Sequence, residues 1–429
     1  MKRQVVCQAE RIPFIMRIKH SEQHNVFSII EKLILFPLLL SFVGFYNYSI
    51  PLILVAFLLL CLLKTRLHIT VGVIPPILLT VGMFLNSSGG DLSVAAINLV
   101  WPAAYWLGFE MMRESQSSYP DWEKREKKLE FCVQIAAIGF FVHLVLNLVT
   151  NRHNSDMGRN TLDFWTQNAT AATGQAGLAC VPMGWCVASL FKDRKLISKL
   201  PILTGMTIML YYNLTLASRT MVYSVLILLV VSLSCLMEQN RSATQKVRVI
   251  GSLTIIVILI TVIYIFNMWG VRTLIEESVL MERLMGDNQL SISEDSRWTR
   301  KLQYLQLMPH YSAGNREIRK VVGGYAHDIL LDTYDTNGIL AFVAIIAILW
   351  DSIAKLIRFF KLQTVSSNTK RMILNIYVAC VITFSVEPIL EGLPWLLATY
   401  CFLHGMVTSF TKHTAYKRQI VQSTNEKEH

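Results

Sequence analysis

The chain has 429 residues, of which 53% are hydrophobic and only 16% charged, against about 25% charged in soluble proteins. Its mean hydropathy is +0.43. That leaves too little polar surface to keep a folded chain in water, which excludes a soluble enzyme, a disordered protein and a disulfide-knit secreted module. What remains is a membrane protein with many spans. The net charge of +11 falls in short basic clusters between apolar stretches, as membrane topology requires, and no base-reading motif accompanies it.

A basic segment, residues 1–25, precedes an apolar run that begins near Val26. No small-residue cleavage site follows, so this run is expected to be a retained anchor and not a signal peptide. A span takes about 20 apolar residues. Candidates follow at 26–44, 48–63, 68–85, 92–112, 129–149, 171–191, 200–217, 220–237, 249–268, 338–356, 372–390 and 393–411. The expected fold is therefore all-α and polytopic, with about 12 transmembrane helices. Residues 26–268 would form a membrane domain, 269–337 a large hydrophilic loop, 338–411 the last three spans and 412–429 a tail.

The eight cysteines, at 7, 61, 132, 180, 186, 235, 380 and 401, have no metal-ligand spacing. Cys180 and Cys186 are near enough in sequence to pair, but buried inert thiols are the expected reading.

Placing the N-terminus in the cytoplasm puts 29 of the 40 Lys and Arg residues on the inner side and 11 outside. Positive charge concentrated in cytoplasmic loops fixes orientation, so an even number of spans with both termini inside is expected. Three features then lie outside. Asn151 to Gln167 form a polar link, a tight turn holds Arg219, and Trp269 to Asn337 form one long loop. Loops longer than about 15 residues are usually functional or disordered. Amphipathic stretches at Val279–Leu284 and Trp298–Met308 give this one the pattern of a small helical cap.

The cap carries Ser296-Arg297-Trp298 and, later, Gly323-Gly324-Tyr325-Ala326-His327-Asp328. His327 has the side chain best suited to take a proton at neutral pH; a surface His bonded to loop backbone fits the same position. Arg219 lies at a membrane boundary, where a charge is costly and a functional role is the default. A snorkelling residue that ends a helix is the plainer account. Arg159, in Gly158-Arg159-Asn160, and Arg297, at the start of a predicted helix, also fit solvated charges. Together, however, Arg side chains at the outer boundary suit a lipid-linked diphosphate, whose oxygens match the planar guanidinium fork. A neutral His could then deprotonate an incoming hydroxyl, an effect of about 10²–10⁴ in rate.

These segments, in this order, resemble the O-antigen ligases and the related Wzy-type O-antigen and capsule polymerases. The resemblance rests on Arg159 with Ala172-Thr173-Gly174 downstream, on Thr215-Leu216-Ala217-Ser218-Arg219-Thr220, and on Ser296-Arg297-Trp298 opening a helix that ends near Pro309. Ala326-His327-Asp328, then Leu330 and Gly338, complete it. It covers residues from about 150 to 345 and implies a GT-C-like helical transferase in the bacterial cytoplasmic membrane. Such enzymes move a glycan from undecaprenyl diphosphate to an acceptor hydroxyl, on a further glycan or on lipid A core, at the extracytoplasmic face. The resemblance implies an inverting reaction with no metal and no cofactor. It also implies membrane lipids as surroundings, no nucleic acid, and a flippase and chain-length regulator of the same pathway as partners.

By carry-over His327 looks like the general base, and Arg219 and Arg297 look like diphosphate ligands, with Arg159 a third. Asp328 departs from the family, which commonly has Asn after the His; a carboxylate there could orient the ring or raise its pKa. Arg300, with Lys301, Arg316, Arg319 and Lys320, could contact acceptor or glycan, or form a solvated basic face.

Two other readings compete. A flippase or other polysaccharide transporter would need mid-membrane charge and repeats, whereas Glu110, Asp351 and Glu387 lie towards span ends. A metal-dependent GT-C enzyme would need a carboxylate in the first outer loop, around Tyr46-Asn47-Tyr48-Ser49, which has none. Glu387 and Glu391 could bind sugar hydroxyls, or form a local helix-end pair.

Overall fold

Each of the twelve apolar segments falls on a helix in the computed structural model. It describes residues 29–63, 68–86, 97–113, 122–151, 160–171, 174, 177, 179–192, 196–238, 243–278, 280–281 and 296–425. Leucine, isoleucine and valine around nearly the whole helix circumference explain why these segments are helical: in a bilayer every backbone N–H and C=O must be satisfied within the segment. The first helices are α1 (Ile29–Phe42), α2 (Tyr46–Leu63), α3 (Ile74–Asn86), α4 (Val100–Met112) and α5 (Trp122–Thr150). Then come α6 (Cys180–Leu190), α7 (Leu200–Leu216), α8 (Arg219–Glu238) and α9 (Ala243–Ile265).

Among the described residues, four helices are long and apolar enough to cross a membrane: Trp122–Thr150, Arg219–Met237, Ala243–Ile265 and Ile329–Phe360. Shorter apolar helices run over Ser49–Leu63, Val71–Asn86 and Cys180–Leu190.

Helices pack by close backbone approach. A Cβ on Gly108 of α4 would overlap the carbonyl of Phe402, and one on Gly405 would overlap that of Tyr105. Both belong to the crossing between α4 and the last helix, α16 (Pro394–Asn425). Small residues at a crossing let two helix backbones approach this closely.

Loops that hydropathy assigns to one side meet one another. Among segments expected on the inner side, Lys128 pairs with Glu31 at 2.7 Å and Lys192 with Glu130 at 3.2 Å. Glu126 accepts from Ser366 N at 3.1 Å, and buried Arg125 donates to Met112 O at 3.1 Å. On the outer side, Asn86 donates to Asn337 O and Trp165 to Val43 O.

The link between α5 and α6 departs from the all-α expectation. Strands β1 (Asn160–Leu162) and β2 (Ala169–Ala171) pair antiparallel, with Thr161 opposite Thr170. The hairpin is too short and polar to show in hydropathy. It is docked on α5 by side chains: Asn151 exchanges two bonds with Leu162, each 2.8 Å, and Asn147 accepts from Phe164 N at 2.9 Å. Asp163, 2% exposed, accepts from Trp165 N and Thr166 N and lies 3.6 Å from His143 Nε2.

Cys180 and Cys186 face different helices. Cys180 Sγ lies 2.9 Å from Thr383 Oγ1, Cys186 lies against the Ile202 carbonyl, and both thiols are free and buried.

The long loop is helical in its described part, with α10 (Val271–Glu276), α11 (Ser296–Leu307) and α12 (Glu317–Val322). It has a small core of its own, in which Tyr304, Ile318, Ala326, Leu331 and Tyr334 pack together. The first amphipathic stretch, 279–284, falls largely outside the described residues; the second becomes α11.

The next helix, α13 (Ile329–Phe360), starts before the predicted span and is broken at Gly338, whose φ is +73° and ψ −174°. Residues 329–337 therefore belong with the cap, and the apolar part follows the break. After it come α14 (Ser367–Phe384), the short α15 (Ile389–Gly392) and α16, which continues through most of the expected 412–429 tail.

Candidate functional site

The chain reaches His327 through Gly323, which ends α12 at φ +79°. Gly324 follows, and its carbonyl accepts from the buried Tyr304 hydroxyl at 2.8 Å. His327 itself has φ +56°. A side chain in this left-handed region costs about 1–2 kcal/mol, because Cβ crowds the following carbonyl. Such outliers persist only where the surroundings enforce them, and they gather at functional sites.

The enforcement is visible. Asp332, 5% exposed, accepts from Ala326 N through Oδ1 and from Asp328 N through Oδ2, each at 2.9 Å. One carboxylate thus bonds the peptide on both sides of the histidine. Asp328 has the N-cap geometry of α13, accepting from Leu330 N at 3.0 Å and Leu331 N at 3.4 Å. The sequence reading allowed its carboxylate to orient the ring or raise its pKa; in the structure it caps the helix and pairs with Lys301 Nζ at 3.4 Å. Satisfying the free N–H groups of a helix start is the stronger demand on a carboxylate at that place.

Cations of α11 surround this segment. Arg300 lies against Gly324, with Nη1 3.2 Å from where a Cβ would stand. Lys301 also donates to Ser385 O. Arg297, one turn earlier on the same helix face, donates to Val386 O at 3.3 Å and lies 3.7 Å from the buried Glu387. The half-exposed imidazole of His327 has Tyr325 beside it, ring centroids 6.2 Å apart.

Tyr325 leads to a second junction. Arg319 stacks 3.8 Å over its ring and reaches Glu391 at 2.9 Å; Arg316 reaches the same carboxylate at 3.3 Å. Burial pushes the Glu391 carboxyl up, but hydrogen bonds from Arg319 and Tyr325, with the charge of both arginines, hold it below the usual carboxylate value. Glu387 and Glu391 are therefore not a local pair: each ties a different cap helix to the turn between α14 and α16. Lys301 and Arg319 likewise leave the solvated basic face that sequence allowed them. Lys320 keeps to it, pairing with Glu317 at an exposed site.

Arg219 lies elsewhere, beside the first helix of the long loop. Ala217, at φ +55°, ends α7 in a left-handed turn, and Arg219 is the first residue of α8, half-buried. The turn packs on the cap through Leu214, Ala217, Val222, Ile275 and Leu280. Among the described residues the Arg219 guanidinium makes no ion pair or hydrogen bond. Arg159 lies outside the described residues.

The structure thus groups Arg297, Arg300, His327 and Asp328 in one sector, whereas the turn before Arg219 packs in a separate apolar cluster with Ile275 and Leu280. Sequence reasoning passed over Asp332 and gave Tyr325 no role of its own. Asp332 falls in the expected loop before the span predicted at 338–356, so nothing in the sequence marked it as lying in the first turn of a helix, a place the helix dipole favours for Asp at many unrelated sites. Neither a family model nor a curated protein sequence matches the chain.

Proposed function

We propose that the chain is a membrane glycosyltransferase of surface-polysaccharide biosynthesis, of the O-antigen ligase or polymerase kind. It would move a glycan from undecaprenyl diphosphate to an acceptor hydroxyl at the outer face of a bacterial cytoplasmic membrane. The carrying observation is His327, held in a left-handed conformation by a buried carboxylate beside the cations of α11. In this reading the twelve helices are spans in a GT-C-like arrangement with both termini inside. The meeting of inner loops with inner loops, and outer with outer, supports that alternation.

The chemistry asks for a base and for cations. The acceptor hydroxyl gives its proton to the His327 imidazole, and its oxygen bonds to the anomeric carbon opposite the phosphate. The bond from that carbon to the diphosphate oxygen breaks, and undecaprenyl diphosphate leaves with the electron pair. Arg219 and Arg297 are the groups to stabilise that growing charge, each charge-assisted bond contributing about 1.5–3 kcal/mol. Glu387 aims Arg297 and lowers its net charge, so Arg219 carries the larger share.

The test is transfer by purified protein from undecaprenyl-diphosphate oligosaccharide to candidate acceptors, with chelator present. Wild type should transfer; folded His327→Ala and Arg219→Ala should not. The acceptor extended separates ligase from polymerase. Movement of the intact lipid across liposomes without transfer would replace the enzyme by a flippase.

A further inference from the structure

Asp332 has more contacts than a helix start needs. Asp328 already caps α13 through Leu330 N and Leu331 N. The Asp332 carboxylate turns back instead and takes Ala326 N and Asp328 N, the two amides that flank residue 327. Its own N–H donates to Asp328 O at 2.9 Å, which closes the segment on itself. The carboxylate is buried against the cap core, where Ala326 and Leu331 are also buried. A histidine ordinarily prefers right-handed or extended geometry to left-handed, and the bridge opposes that preference at 327. The left-handed geometry redirects the Cα–Cβ bond, and with it the ring.

Resting on the transferase reading above, we infer that Asp332 is a positioning residue of the reaction: its carboxylate clamps the peptide on both sides of His327 and so fixes where the imidazole meets the acceptor. The clamp touches neither substrate. Its loss therefore acts on turnover and leaves donor binding, which belongs to the arginines, as it was.

Two side chains discriminate. Asn at 332 keeps one acceptor and turns an NH₂ towards the other amide. Glu keeps both acceptors on a stem one methylene longer. Asp332→Asn should lower kcat on the order of 10²-fold, as expected for a misplaced catalytic group, with donor KM unchanged and Asp332→Glu between the two. A parallel loss in kcat and donor affinity, or wild-type kcat in Asp332→Asn, overturns the inference.

Thermal unfolding in detergent supplies a readout independent of activity. Glycine at 327 adopts positive φ without penalty, so the clamp has less to enforce there. Asp332→Asn should lower Tm clearly in the His327 chain and distinctly less in the His327→Gly chain. Equal losses in both backgrounds overturn the clamp, whatever the kinetics. A wild type that transfers no glycan removes the transferase reading and the positioning role with it, while unequal Tm losses would still establish the clamp.

Discussion

Glu387 lies 3.7 Å from Arg297, and the carboxylate is 4% exposed while the guanidinium is 33% exposed. The first turn of the cap helix α11 is thus tied to the turn after α14 by a charge that cannot easily be rehydrated. Removing one partner of such a pair leaves the other buried and uncompensated, which is worse than removing both.

Arg297→Ala is accordingly expected to destabilise the protein by about 2–3 kcal/mol, less than a fully buried pair because water reaches the guanidinium. Arg297→Ala combined with Glu387→Gln should recover part of that loss. Thermal unfolding of the two variants in one detergent checks it; an additive double variant would refute the coupling.

The Glu391 junction gives the cap a pH dependence. Its carboxyl is held below the ordinary value by Arg319 and Tyr325 against the opposing effect of burial. A group lowered in this way stabilises fully above its unfolded value, about 4.3, and the contribution fades as pH falls through the lower folded value. Protease cleavage in residues 296–322 should therefore rise below that pH in wild type. In Glu391→Gln it should be high and level across the same range.

The break at Gly338 is the sharpest backbone requirement. Its φ and ψ belong to a region that is essentially reserved for glycine, and a Cβ there would meet Asn86 Nδ2 at 3.1 Å and Ala313 O at 3.2 Å. Gly338→Ala should cost about 1–3 kcal/mol. Gly251→Ala, in α9 with nothing near its Cβ, should be neutral or stabilising by about 0.5–1 kcal/mol. Tm values of the pair decide this.

Asp163 anchors the outer hairpin through Trp165 N and Thr166 N. Asp163→Ala is expected to cost about 1.5–3 kcal/mol and to open residues 160–171 to protease, with α5 and α7 left intact. Unchanged cleavage would show that Asn147 and Asn151 hold the hairpin by themselves.

What could be read in advance follows from range. The helices were legible because runs of apolar residues dictate helix locally, and Trp298–Met308 because its apolar period is helical. The hairpin was not: Asn160–Leu162 and Ala169–Ala171 are three-residue strands whose docking depends on Asn147 and Asn151 from another element. His327, Arg297 and Arg219 were singled out by type and by their places at apolar boundaries.

Composition and local pattern were enough for the largely helical, apolar character of the chain, for the positions of its apolar segments and for the choice of candidate residues. Each of these depends on composition or on neighbours within a few turns. That Asp328 caps a helix, that Asp332 bridges the backbone around His327, and that Glu387 and Glu391 hold different cap helices emerges only when the chain is folded. A carboxylate is worth what it touches, and those partners come from chain segments that fold into contact.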